Sequence, residues 1–296
     1  MKIPVNRLFF RGLTRVGAPL SLSMALVTGL VFVPNRAAAT APLPADAPGY
    51  SDLLDLFDSA PLVLRVEIRK AIPVAKDGGG APAGQTRAYV EARVVDALHG
   101  TAPAPMLRYL ADVKLDPRGR LPNLAKQQAL IAARSGGAPD KEGLASLQLV
   151  APDAQLLWGA ELEARARGVL AELAAADAPG PVTGVREALF EPGTLAGAGE
   201  TQVVLTTPNG APVALSVVHV PGQETVWSVS FSEVVNGGRA PARETLAWYR
   251  LACFLPRALP LGANISVGDA AQAQAAADYR LVIAGLGPCG RTRSAR

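Results

Sequence analysis

Residues 201–234 read TQVVLTTPNGAPVALSVVHVPGQETVWSVSFSEV. Three runs in this stretch, 201–207, 213–220 and 226–234, alternate apolar and polar residues with a period of two. In the third, Trp227, Val229 and Phe231 point one way and Ser228, Ser230 and Ser232 the other. That is the pattern of a half-buried strand with one wet face. Pro208-Asn209-Gly210-Ala211-Pro212 and Pro221-Gly222-Gln223-Glu224-Thr225 separate the runs, and both are rich in turn formers. The expectation is a three-stranded antiparallel meander.

Its register follows from matching faces, because a one-residue slip swaps them. Pairing Val220 with Val226 sets His219 opposite Trp227, Val217 opposite Val229 and Leu215 opposite Phe231. Pairing Thr207 with Val213 sets Leu205 on Leu215 and Val203 on Val217. The apolar face so formed needs a cover. The next apolar segment, 244–255, is expected to supply it as a largely buried helix, with Pro241 in its first turn and Pro256 as its stop.

The whole chain has 296 residues, enough for one large domain or two ordinary ones. Its formal charge of +4 is uneven. Residues 1–41 hold Lys2, Arg7, Arg11, Arg15 and Arg36 and no acid. The 29 basic residues less these five leave 24 against 25 acidic ones, a net of −1. The body of the chain therefore has no electrostatic footprint for nucleic acid. A basic start, an apolar run over 16–33 and the small-x-small triplets Ala37-Ala38-Ala39 and Ala39-Thr40-Ala41 make a secretory signal peptide. The other reading of this leader is an uncleaved anchor, its apolar run being short for a span. Cleavage leaves no membrane span and a periplasmic or secreted bacterial product.

Downstream, residues 51–58 read as a short helix capped by Ser51, with Asp52, Asp55 and Asp58 on a solvated face. Strands are expected over 61–74, 87–95, 106–113, 128–134 and 144–150. The Gly-rich loop 76–85 joins two strands, a hairpin connection in place of a phosphate cradle. Residues 160–177 form an amphipathic helix, 182–190 a second short helix, 268–278 a loose helix or linker and 279–284 a strand. Residues 291–296 read as a frayed basic tail.

A helix ending in Asp58-Ser59-Ala60, a strand 62–68, a strand ending in Leu98-His99-Gly100 and a strand 129–133 after a Pro-rich loop form one pattern. Over about residues 50–150 it resembles the OB-like barrels of exported proteins similar to the netrin and metalloproteinase-inhibitor module. That family carries cysteines in this region and this chain has none there, so an inhibitory edge is not carried over. The whole chain is also similar to exported proteins of proteobacteria, a resemblance that implies export and says nothing of activity.

The fold class expected is α+β. A signal peptide, 1–41, precedes a mainly β, antiparallel barrel-like subdomain, 42–150. Helices packed on the meander make a second subdomain, 151–260, and 261–296 is a tail. Cys253 and Cys289 are the only two cysteines. In an oxidising compartment they are expected to pair and tie that tail down.

Chemistry is thinly supported. The two histidines, His99 and His219, are the candidate bases, and no Gly-x-Ser-x-Gly elbow accompanies them. His219 is read as packing beside Trp227. No zinc pattern and no dinucleotide fingerprint occurs, so neither metal nor cofactor is expected. Asp112, Asp116, Arg118 and Arg120 gather around Pro117 and Gly119, as an anion- or partner-binding loop or as a solvated turn. The leading expectation is a non-enzymatic periplasmic protein that binds a protein or small-molecule partner. The alternative is a hydrolase assembled around His219 or His99.

Overall fold

A computed structural model describes residues 47–75, 79–231 and 239–293. The leader, part of the 76–85 loop and the end of the third meander run lie outside the described residues. Helix α1 (Tyr50–Phe57) comes first, then strands β1 (Leu62–Pro73), β2 (Gln85–His99), β3 (Met106–Lys114), β4 (Gln128–Ser135), β5 (Leu144–Leu149) and β6 (Gln155–Leu157). Helix α2 (Ala160–Ala174) follows, then strands β7 (Gly184–Pro192), β8 (Gly199–Thr206), β9 (Ala214–His219) and β10 (Val226–Ser230), and helices α3 (Leu246–Ala252) and α4 (Asp269–Leu286). The protein is α+β with two sheets.

The first sheet closes on itself. Its order β1-β2-β3-β5-β4 returns to β1, with β3 and β5 parallel and the other pairs antiparallel. β6 extends the ring along β4. Three register shifts between β1 and β2 let these long strands bend into the closure. Val66, Ile68, Val90, Leu107, Tyr109, Ala129 and Ile131 fill the interior, and Leu53, Leu54 and Leu56 of α1 join the same core.

The second sheet has four antiparallel strands in the order β10-β9-β8-β7. The stretch expected as a short helix, 182–190, is here the edge strand β7. Glu187, Ala188 and Leu189 favour helix locally, but pairing with β8 from Gly184 to Pro192 overrides that preference. The apolar face of the meander is as read: Val203, Leu205, Leu215 and Val217 are buried, and Trp227, Val229 and Phe231 pack against the core.

The register differs by two residues in both hairpins. Trp227 faces Val217, Val229 faces Leu215, and His219 faces Gly199. The loops are longer than assumed because their residues bond among themselves. Gln223 N–H donates to the Val220 carbonyl, and the Thr207 hydroxyl donates to the Ala211 carbonyl at 2.8 Å. A slip of two keeps every side chain on its face, so alternation could not detect it.

The cover also differs. α4 lies on this sheet, with Ala275, Tyr279, Val282 and Leu286 buried at helical spacing. The segment expected as a loose helix or linker, 268–278, is helical, and the strand expected over 279–284 continues that same helix, because those four positions recur on one face. α3 starts at Leu246, capped by Thr245, which accepts from the Trp248 N–H, so Pro241 lies before it. All described residues belong to one compact unit, 46–296. Among them no helix is long and apolar enough to cross a membrane.

Candidate functional site

Asp52 and Asp55 of α1, and Asp58 at its C-cap, are each engaged by partners in place of forming a solvated face. Asp52 is fully buried and closes the N-terminus of its own helix by accepting the Gly49 N–H at 2.8 Å, a role expected of Ser51. It also accepts from the Thr292 hydroxyl and from the backbone N–H groups of Thr292 and Arg293. Burial pushes its carboxyl up, but the bond from the Thr292 hydroxyl and those from the backbone outweigh this and hold it below its ordinary value. Asp55 takes the Tyr249 hydroxyl at 2.6 Å and both arms of Arg291 at 2.7 and 2.9 Å. Asp58 takes both arms of Arg250 at 2.6 and 2.7 Å.

Residues 291–293 are therefore not frayed. Arg291 is held by Asp55, and Arg293 by Asp153. Cys253 and Cys289 form a disulfide with Cα atoms 4.8 Å apart, joining the end of α3 to this tail. Ser51 donates to the Cys289 carbonyl at 2.6 Å. A cavity of about 290 Å³ opens beside the disulfide, lined by Tyr50, Arg243, Glu244, Trp248 and Cys289 among others.

His219 ends β9 and meets α4. Its Nε2 lies 2.9 and 3.0 Å from the two carboxylate oxygens of Asp278. Asp278 also accepts from the Thr201 hydroxyl at 2.5 Å and the Gln274 amide at 2.8 Å. On the far side of the ring, Nδ1 lies 3.2 Å from the Thr225 hydroxyl. The Phe190 ring meets the imidazole edge-on at 6.2 Å. Gly199 makes this possible, since a Cβ there would sit 2.5 Å from the Phe190 ring. Trp227, expected beside His219, instead packs on α4 at Gly285, where a Cβ would lie 2.9 Å from its indole nitrogen. The two-residue register difference separates them.

The other expected candidates stand apart. His99 is exposed at the end of β2, opposite Val63, with no carboxylate bonded to it among the described residues. Arg118 and Arg120 are exposed on a turn whose N–H groups both donate to Asp116 at 2.9 Å. Asp112 is not in that turn. It is buried on β3, paired with Arg87 at 2.8 and 3.2 Å. Among the described residues no group of three metal-ligating side chains occurs.

A surface that the sequence reading did not single out lies on the outside of the ring. Ile72, Tyr89 and Leu110 are direct cross-strand neighbours on β1, β2 and β3. Ile72 is 45% exposed and Leu110 48%. Charged partners flank this row. Lys70 pairs with Glu91 at 3.3 Å and lies 6.0 Å from the Tyr89 ring centre, Arg108 pairs with Asp140 at 2.7 Å, and Arg87 holds Asp112. Partial burial, with Glu91 adding to it, raises the Tyr89 phenol above its ordinary value. The signal in the sequence was Leu110, an apolar residue between inward-facing Tyr109 and Ala111.

No protein-family model and no curated protein matches the chain.

Proposed function

We propose that the protein is an exported, periplasmic or secreted binding protein whose partner surface is the Ile72–Tyr89–Leu110 row. On this reading about residues 50–150 are an OB-like barrel: five strands close in Greek-key order around one core, the architecture of that class. The observation that carries the function is the row itself. Its neighbours on the same three strands are ion-paired, while exposed Ile72 and Leu110 flank the half-buried Tyr89 ring. A contiguous apolar strip with an aromatic centre and a polar rim is the anatomy of an interaction site. It lies across open strand surface and not in an enclosed pocket, which suits a protein partner. Export is supported by the leader and by the Cys253–Cys289 disulfide, a bond that persists in oxidising compartments.

A photo-crosslinking residue placed at Leu110, expressed in the native cell, tests this. A discrete adduct is expected, absent when the same group replaces exposed Arg186. The captured partner, once purified, should bind the wild-type protein and lose roughly tenfold or more in affinity for Leu110→Asp. Identical adduct patterns from positions 110 and 186 would remove the assignment.

A further inference from the structure

The His219 cluster has a directionality that the binding reading does not use. Asp278 is 3% exposed at its side chain and accepts from three donors: Thr201, Gln274 and His219 Nε2. A carboxylate has no hydrogen to give, so Nε2 must carry one. In the neutral ring that leaves Nδ1 as the acceptor, and Nδ1 is the atom facing the Thr225 hydroxyl at 3.2 Å. The Gln274 amide nitrogen, 3.4 Å from Nε2, donates to Asp278 and does not compete for Nδ1. Phe190 fixes the ring plane from β7. Hydroxyl, imidazole and carboxylate thus stand in line, with a buried, triply bonded acid setting the tautomer of the base. That is the logic of nucleophile activation, recognised by roles and not by position in the chain. The imidazole side chain remains 19% exposed and Thr225 is half-buried, at the end of the 220–225 loop.

We propose that Thr225 is a nucleophile activated by His219, with Asp278 as positioning residue, and that it accepts acyl groups from small activated esters. The Thr225 Oγ1 adds to the ester carbonyl while its proton passes to His219 Nδ1. The alkoxide or phenolate leaves, the proton on Nδ1 passes to it or, for a weakly basic phenolate, to solvent, and an acyl ester remains on Thr225. Water then attacks the acyl carbon, its proton goes to Nδ1 and on to the departing Thr225 oxygen, and a carboxylic acid is released. The site is distinct from the Ile72–Tyr89–Leu110 row, and neither depends on the other.

The test is p-nitrophenyl acetate added to the full purified chain, with nitrophenolate release followed optically and acetylated peptides located by mass spectrometry. Acetyl is expected on Thr225 at least about tenfold ahead of exposed Thr183, whose hydroxyl meets only a backbone carbonyl. Thr225→Ser should keep the release and Thr225→Ala should lose it, with unchanged near-UV circular dichroism. His219→Gln should slow it by about 100-fold. Acetylation of Thr225 no faster than that of Thr183, or release that persists in folded Thr225→Ala, would overturn the proposal. Should His219→Gln fail to fold, the Ser and Ala variants at 225 decide alone.

Discussion

The aspartates of α1 show what separates a solvated charge from a structural one. At helical spacing Asp52, Asp55 and Asp58 fan out over an arc, as sequence geometry requires. Each direction of the arc is met by a different donor: the tail backbone at Asp52, Arg291 at Asp55 and Arg250 at Asp58. Arg250 is the most enclosed of these partners, with its side chain 5% exposed. Removing one member of such a pair strands the other, so Asp58→Ala should lower stability by about 3 kcal/mol in urea unfolding. Asp52 adds a pH dependence. Its folded pKa is depressed, so its contribution is complete above the ordinary value of 3.8 and is lost as pH falls through the lower folded value. Thermal unfolding in acid should show wild type losing its advantage over Asp52→Asn across that window. An advantage that stays constant with pH would contradict the hydrogen bonds drawn here.

At the scale of elements, one close approach fixes how α4 meets the second sheet. Gly285→Ala brings a methyl within 2.9 Å of the Trp227 indole and should cost about 1–3 kcal/mol in unfolding free energy. The ring strands were legible in the sequence, because β1, β2, β3 and β5 alternate over much of their length, β4 is a short apolar run, and turn residues bound them. β7 was not, since Glu187, Ala188 and Leu189 carry helix preference and only the pairing with β8 makes them a strand. α4 was legible in principle through Ala275, Tyr279, Val282 and Leu286, but its alanine-rich first half weakens the stripe. Hairpin register was not legible at all to within two residues. For the same reason His219 could be placed on the correct face but not beside its partners. Asp278 comes from a helix 59 residues away, and Thr225, only six residues on, lies in the loop whose length the face-matching register misjudged. Leu110 was the one local sign of the row on the ring.

Across the whole molecule, the tail is fastened by covalent and ionic means together. The loop closed by Cys253 and Cys289 spans 36 residues, a closure worth about 3–4 kcal/mol on the chain-entropy account. Reduction should lower stability by that amount yet leave the tail docked, since Arg291 and Arg293 keep their carboxylates; hydrogen exchange at Thr292 and Arg293 would register its release. These fastenings would suit the proposed role, in which the Ile72–Tyr89–Leu110 row is held on a rigid body outside the cytoplasm. The most direct measurement is the intact mass of the protein taken from its native cell and alkylated without reductant. The account predicts a chain that starts after Ala39 or Ala41 and carries no alkyl group. A full-length chain alkylated at both Cys253 and Cys289 would contradict it.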